Sequence, residues 1–166
     1  MRAKRKRSGF TLIELSTAIV ILGILAGLSV PTYRAAVAKA KRTEGLIQLK
    51  KFWEAQEAYF AEHGQWYAKY IRSWGRYTFG YLYIPAGKRY YIKELGIEIP
   101  EGHRYSMWCY WYMIKGRSAR FYTYIWASGR RWDIDGDRYF DEWMIDTNGK
   151  IRCIFDDISN SYCRRR

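Results

Sequence analysis

Cysteine, histidine and proline are all scarce in this chain, and acidic residues are heavily outnumbered. There are 3 Cys, 3 Pro and 2 His among 166 residues, and 29 Lys and Arg stand against 16 Asp and Glu, for a formal net charge of +13. No Cys-x-x-Cys pair occurs, which removes the usual zinc and dithiol-redox motifs. The odd number of cysteines (Cys109, Cys153, Cys163) requires that at least one be free or bonded to another chain. His63 and His103 are far apart and have no partner motif, so each reads as a surface or capping residue. No glycine-rich phosphate loop, nucleophile elbow or paired-acid arrangement is present. The chain is expected not to be an enzyme.

Charge is also missing from Phe10 to Val30, except at Glu14. That run is long enough to span a bilayer. It follows a basic head of Arg2, Lys4, Arg5, Lys6 and Arg7, so the head is expected in the cytoplasm and the rest of the chain across the membrane. A lone carboxylate in such a segment costs roughly 2.5–3.5 kcal/mol on insertion scales, so Glu14 is expected to have a partner and a task. A secretory signal peptide would carry its small-residue cleavage site after the apolar core, whereas Gly9 precedes it. An ordinary signal anchor explains the charge asymmetry and the apolar run, but neither Glu14 nor the Gly9-Phe10 junction.

The stretch Gly9-Phe10-Thr11-Leu12-Ile13-Glu14-Leu15, followed by Ile21-Leu22-Gly23-Ile24-Leu25-Ala26 and Pro31, resembles the prepilin amino terminus of the type IV pilin and type II secretion pseudopilin superfamily. The resemblance covers about the first third of the chain. It implies cleavage between Gly9 and Phe10 by a prepilin peptidase, and N-methylation of Phe10. It also implies a helix that first anchors the subunit in the inner membrane and then forms the filament core, with Glu14 and Pro31 at the family's assembly positions. The implied partners are copies of the chain itself, an assembly platform and an ATPase motor. Pilins often close a carboxy-terminal loop with a disulfide, and Cys153 with Cys163 is similar to that arrangement. A Cys109–Cys153 bond across strands is the rival.

Pattern and resemblance together divide the chain into five segments: a leader 1–9, an apolar helix half 10–30, an amphipathic half 31–63, a connector 64–104 at the place that is variable in pilins, and a sheet with a carboxy-terminal loop 105–166. Phe10 to about His63 reads as one helix containing Pro31. Gly23 and Gly27 allow close helix approach. Leu46, Leu49, Phe52, Trp53, Tyr59 and Phe60 recur at helical spacing and should lie on a sheet. His63-Gly64 reads as its end. Within the connector, short strands are expected near Tyr77–Ile84 and Arg89–Ile92. Strands follow over Tyr105–Lys115, Ala119–Ala127, Tyr139–Ile145 and Lys150–Phe155, the last two joined at Asn148-Gly149, a strong hairpin signal. The expected fold is α+β, with the long helix packed on a four-stranded antiparallel sheet.

Sixteen Tyr, 8 Trp and 7 Phe exceed what a core needs, and some are expected in subunit interfaces. Residues 64–132 are basic and residues 133–157 acidic, which suggests complementary subunit surfaces or attraction to nucleic acid. The acidic stretch contains Asp133, Asp135, Asp137 and Asp141 around Gly136. Alternating carboxylates in a glycine-containing loop gather hard oxygens for Ca²⁺. An EF-hand would place Gly and Glu where Arg138 and Met144 stand, so this is not one. The alternative is a turn in which Asp side chains bond backbone N–H groups. The expected function is structural: a prepilin assembled into a type IV pilus or related extracellular filament. The rivals are a secretion pseudopilin and a DNA-uptake or adhesive minor pilin.

Overall fold

Helix α1 (Leu12–His63) occupies most of the amino-terminal part of the computed structural model, which describes residues 10–114, 117–127, 132–136 and 139–163. The helix opens with a capping box. Thr11 Oγ accepts the Glu14 N–H (3.3 Å), and the Glu14 carboxylate accepts the Thr11 N–H in return (2.8 Å). It closes at Gly64, whose φ of +67° is left-handed and whose N–H bonds the Phe60 carbonyl at 2.8 Å. Pro31 lies inside the helix. The chain divides after Ala36 into two compact units.

In the first unit every residue from Phe10 to Ala36 is exposed, and the helix there is long and apolar enough to cross a membrane. Its hydroxyls do not contradict that property. Ser16 and Thr17 donate to the Ile13 carbonyl (2.9 Å each), Ser29 to Leu25 (2.6 Å) and Thr32 to Ser29 (2.8 Å). Each hydroxyl is returned to the backbone and demands nothing from lipid.

The second unit carries the rest of α1 and a sheet. Strands β1 (Tyr70–Trp74), β2 (Tyr77–Ile84), β5 (Ser106–Ile114), β6 (Arg117–Ala127), β7 (Asp141–Asp146), β8 (Ile151–Asp156) and β9 (Ser161–Tyr162) lie in that order, every neighbour antiparallel. Strands β3 (Tyr90–Ile92) and β4 (Ile97–Ile99) make a separate hairpin. The sheet therefore has seven strands, not the four expected. The extra ones come mainly from the connector. Its Trp74-Gly75-Arg76-Tyr77 stretch is a two-residue hairpin turn, with Trp74 opposite Tyr77 and Gly75 at φ +59°. A primed turn wants glycine at that first central position. Strand β2 then buries Gly80, Leu82 and Ile84 on alternate residues and pairs along its full length with β5. Gly80 has a packing reason: a Cβ there would overlap the Trp111 indole on the neighbouring strand. At the other edge, β9 adds two residues to β8 after Asn160, which sits at φ +49°.

The core lies between one face of this sheet and the second half of α1. Leu49 and Phe52 of the helix meet Leu82, Cys109, Trp111, Phe121, Ile125 and Ile145 of the strands. Buried helix positions are Ala38, Gly45, Leu49, Phe52 and Gln56. Gln56 is fully buried and bonds both backbone groups of Tyr67, accepting the N–H (2.9 Å) and donating to the carbonyl (3.1 Å). It fastens the segment after the helix to the helix itself.

Candidate assembly motif and acidic loop

Two groups of residues carry the chemistry expected of this chain. The first is at the amino terminus. Gly9 lies outside the described residues. Phe10 is exposed, and Glu14 stands one helical turn beyond it. The Glu14 Oε2 accepts from both the N–H and the hydroxyl of Thr11, at 2.8 and 2.7 Å. Within a single subunit the carboxylate is therefore already hydrogen-bonded. Thr11 was missed as its partner, although Thr-x-x-Glu before an apolar run is a capping signature.

The second group is the acidic loop. Asp133 is buried, and its Oδ1 accepts the N–H groups of Asp135 (3.1 Å) and Gly136 (2.7 Å), with Gly136 at φ +101°. Lys41 of α1 holds the loop from the helix side by donating to the Ile134 carbonyl at 2.7 Å. Carboxylate oxygens of Asp133, Asp135 and the buried Asp157 lie within 4.8 Å of one another. These three oxygens are the donor set that could hold a hard divalent cation such as Ca²⁺. Asp137 lies outside the described residues. Asp157 could not be found from the loop motif, because it comes 22 residues after Asp135, past β8.

Asp141 is not brought to that cluster. It is fully buried, and its carboxylate accepts from Arg42 Nη2 (2.8 Å), the Tyr105 hydroxyl (2.6 Å), the Trp143 indole N–H (2.8 Å) and the Asp157 N–H (3.3 Å). Its acceptor capacity is spent. Arg42 also reaches Asp156 at 2.5 Å. Burial opposes the charge on Arg42, yet bonds to Asp156 and Asp141 raise its pKa above the ordinary value. Burial likewise opposes ionisation of Asp156, and the Arg42 bond overcomes it and holds that carboxyl below its ordinary value. Burial, reinforced by the Asp141 charge, pushes the Tyr105 phenol far up. This network ties α1 to β7 and to the end of β8.

Cys153 and Cys163 are joined by a disulfide with Cα atoms 5.7 Å apart, closing the loop that carries β9. Cys109 is free and buried, and burial pushes its thiol up to about 12. Of the histidines, His63 bonds the Tyr59 carbonyl at the helix end, at 3.1 Å. His103 is buried instead of superficial and bridges the carbonyls of Tyr105 (2.8 Å) and Lys88 (3.1 Å).

Residues 4–30 match a family model described as the prokaryotic N-terminal methylation motif. The chain is 38% identical over 65 residues to the type IV major pilin protein PilA of Myxococcus xanthus, covering 37% of this chain and 30% of that one. It is 38% identical over 60 residues to a fimbrial protein of Neisseria meningitidis, covering 36% of this chain and 35% of the other. The same identity over 60 residues relates it to the type IV major pilin protein PilE1 of Neisseria gonorrhoeae, covering 36% of each. The chain thus spans about a third of the length of these relatives. No solved structure gives a significant match. The amino-terminal segment thus carries a prokaryotic methylation motif and is similar to the corresponding segment of type IV pilins.

Proposed function

We propose that the chain is the precursor of a structural subunit of a type IV pilus or closely related filament. The observation that carries this is the first unit: a fully exposed apolar helix with a single carboxylate, directly after a basic head and inside the matched motif. Prepilin peptidase would cut after Gly9, and the new amine of Phe10 would be methylated. The leader holds five basic residues and no acid, so its loss takes the net charge from +13 down by five to +8. The subunit would wait in the inner membrane with its folded unit on the exported side. An assembly platform and ATPase would then extract it into the filament. There Glu14 would pair with the Phe10 amine of a neighbour, because an unpaired charge in an apolar core costs far more than a paired one. The named relatives are pilins, which supports the reading of a pilus subunit.

Two experiments test this reading. Amino-terminal sequencing of membranes and sheared filaments should return methylated Phe10, and Met1 in the filament fraction would overturn it. Glu14→Ala should leave membrane insertion intact and cut filament yield at least tenfold by electron microscopy, whereas normal yield would remove the pairing role. The calcium reading of the acidic loop now rests on Asp133, Asp135 and Asp157. Melting the full-length protein in detergent, with calcium and with chelator, decides it: a higher midpoint that is lost in Asp135→Asn supports coordination, and equal midpoints leave a charged turn.

A further inference from the structure

The sheet face turned away from α1 is aromatic, and one cleft in it has a distinct electrostatic character. It is lined by Trp108 and Tyr110 of β5, Tyr124 and Trp126 of β6, and Glu142 of β7. The register makes this set. Trp108 is opposite Tyr124, and Trp126 is opposite Glu142, all on the outward-facing alternate positions. The rings hold one another upright: Tyr110 and Tyr124 stack at 6.0 Å, and Trp108 and Tyr110 lie 5.8 Å apart. Glu142 is half-buried and has no hydrogen bond or ion pair among the described residues. Burial raises its pKa.

Four aromatic side chains and one carboxylate line this cleft, and aromatic faces carry the negative part of the ring quadrupole while an ionised carboxylate carries a full charge. The chain around it is strongly basic. A carboxylate set among ring faces suits an organic cation, whose charge the rings attract and whose apolar surface they cover. It disfavours a phosphate backbone, which it would repel. The same sheet face carries Arg72 on edge strand β1, exposed and without a hydrogen bond or ion pair among the described residues. Acceptor and donor thus sit on different parts of one surface. A contact in which the donor of one copy meets the acceptor of the next is head-to-tail, the type that builds an open helical filament when its rotation does not close.

We infer that the cleft of Trp108, Tyr110, Tyr124, Trp126 and Glu142 receives the guanidinium of Arg72 from a neighbouring copy of this chain. The inference about the neighbour rests on the filament reading above, whereas the cation preference of the cleft does not. Full-length protein in detergent micelles, titrated with N-acetylarginine amide, should show a saturable change in tryptophan fluorescence. Its uncharged isostere, N-acetylcitrulline amide, should give none. The response should weaken at least tenfold in Glu142→Gln and in Trp126→Leu. An equal response to both probes, or one unchanged in Glu142→Gln, would overturn the cation site. In cells, Glu142→Arg and Arg72→Glu should each lower filament yield at least fivefold, and the double swap should restore it. Failure of the double swap to rescue would remove Arg72 of a second copy as the occupant. Absence of filaments from wild-type cells would count against the filament reading alone, because the micelle titration is made on unassembled protein.

Discussion

Asp141 illustrates how one buried residue organises its surroundings. Its carboxylate is out of water and satisfied by Arg42, Tyr105, Trp143 and a backbone N–H. Removing one partner from a buried ion pair typically costs about 3–5 kcal/mol, because the other charge stays behind unpaired. Arg42→Ala should therefore lower the stability of the full-length protein in detergent by about 3 kcal/mol in chemical denaturation. Asp156 adds a pH dependence. Its folded pKa is depressed by Arg42, against the opposing effect of burial. The stability it contributes is thus fully present above the ordinary aspartate value of 3.8 and is lost as pH falls through its lowered value. The melting midpoint should fall below about pH 4, and less steeply in Asp156→Asn. Cys109 makes the opposite kind of prediction. With its thiol pushed up to about 12 and no solvent exposure, it should resist iodoacetamide at pH 8 in the native protein and react once denaturant is added. Rapid native labelling would contradict its burial.

The buried face of α1 runs through Ala38, Arg42, Gly45, Leu49, Phe52 and Gln56, spaced alternately four and three apart. The helix itself was legible, because the apolar run, the Pro31 interruption and the Gly64 stop are local signals. Its inward face was only half legible. Apolar periodicity found Leu49 and Phe52, but Arg42, Gly45 and Gln56 occupy the same face with a charge, no side chain and an amide. Each is there for a partner distant in sequence: Asp141, Tyr105 and Tyr67. Gly45 is the sharpest case, since a Cβ there would overlap the Tyr105 ring. Gly45→Ala would gain roughly 1 kcal/mol of helix propensity. It must also displace a ring whose hydroxyl bonds Asp141, and overpacking of this kind costs about 1–3 kcal/mol before that bond is counted. A net loss of about 2 kcal/mol is expected by chemical denaturation. Gly27 has open space around it, so Gly27→Ala should not destabilise the subunit, and any loss should show only in filaments.

At the scale of the molecule, the amino-terminal third carried the likeness to pilins, while the sheet carried only its class. The Asn148-Gly149 hairpin was plain because its turn chemistry is local, and Asp146 now secures it by accepting the N–H groups of Asn148 and Lys150. The strand expected near Tyr77–Ile84 is β2, but nothing local says that it lies beside β5. Joining of β1 and β2 to the sheet is a long-range event that no window of residues contains. The acidic loop has the same history: two of its carboxylates are local and the third arrives from beyond β8. One feature of the first unit bears on the whole assembly. Glu14 is already hydrogen-bonded through one oxygen, Oε2, by Thr11 within its own subunit, and a carboxylate has acceptor sites to spare. In the filament reading a neighbour's amine would therefore meet a carboxylate whose direction is set before the neighbour arrives. Little freedom is left to freeze when the two groups join, so each incoming subunit finds its seat ready. Thr11→Val would remove the hydroxyl that holds the carboxylate in place, and its filaments should fall apart in detergent at a lower temperature than wild type.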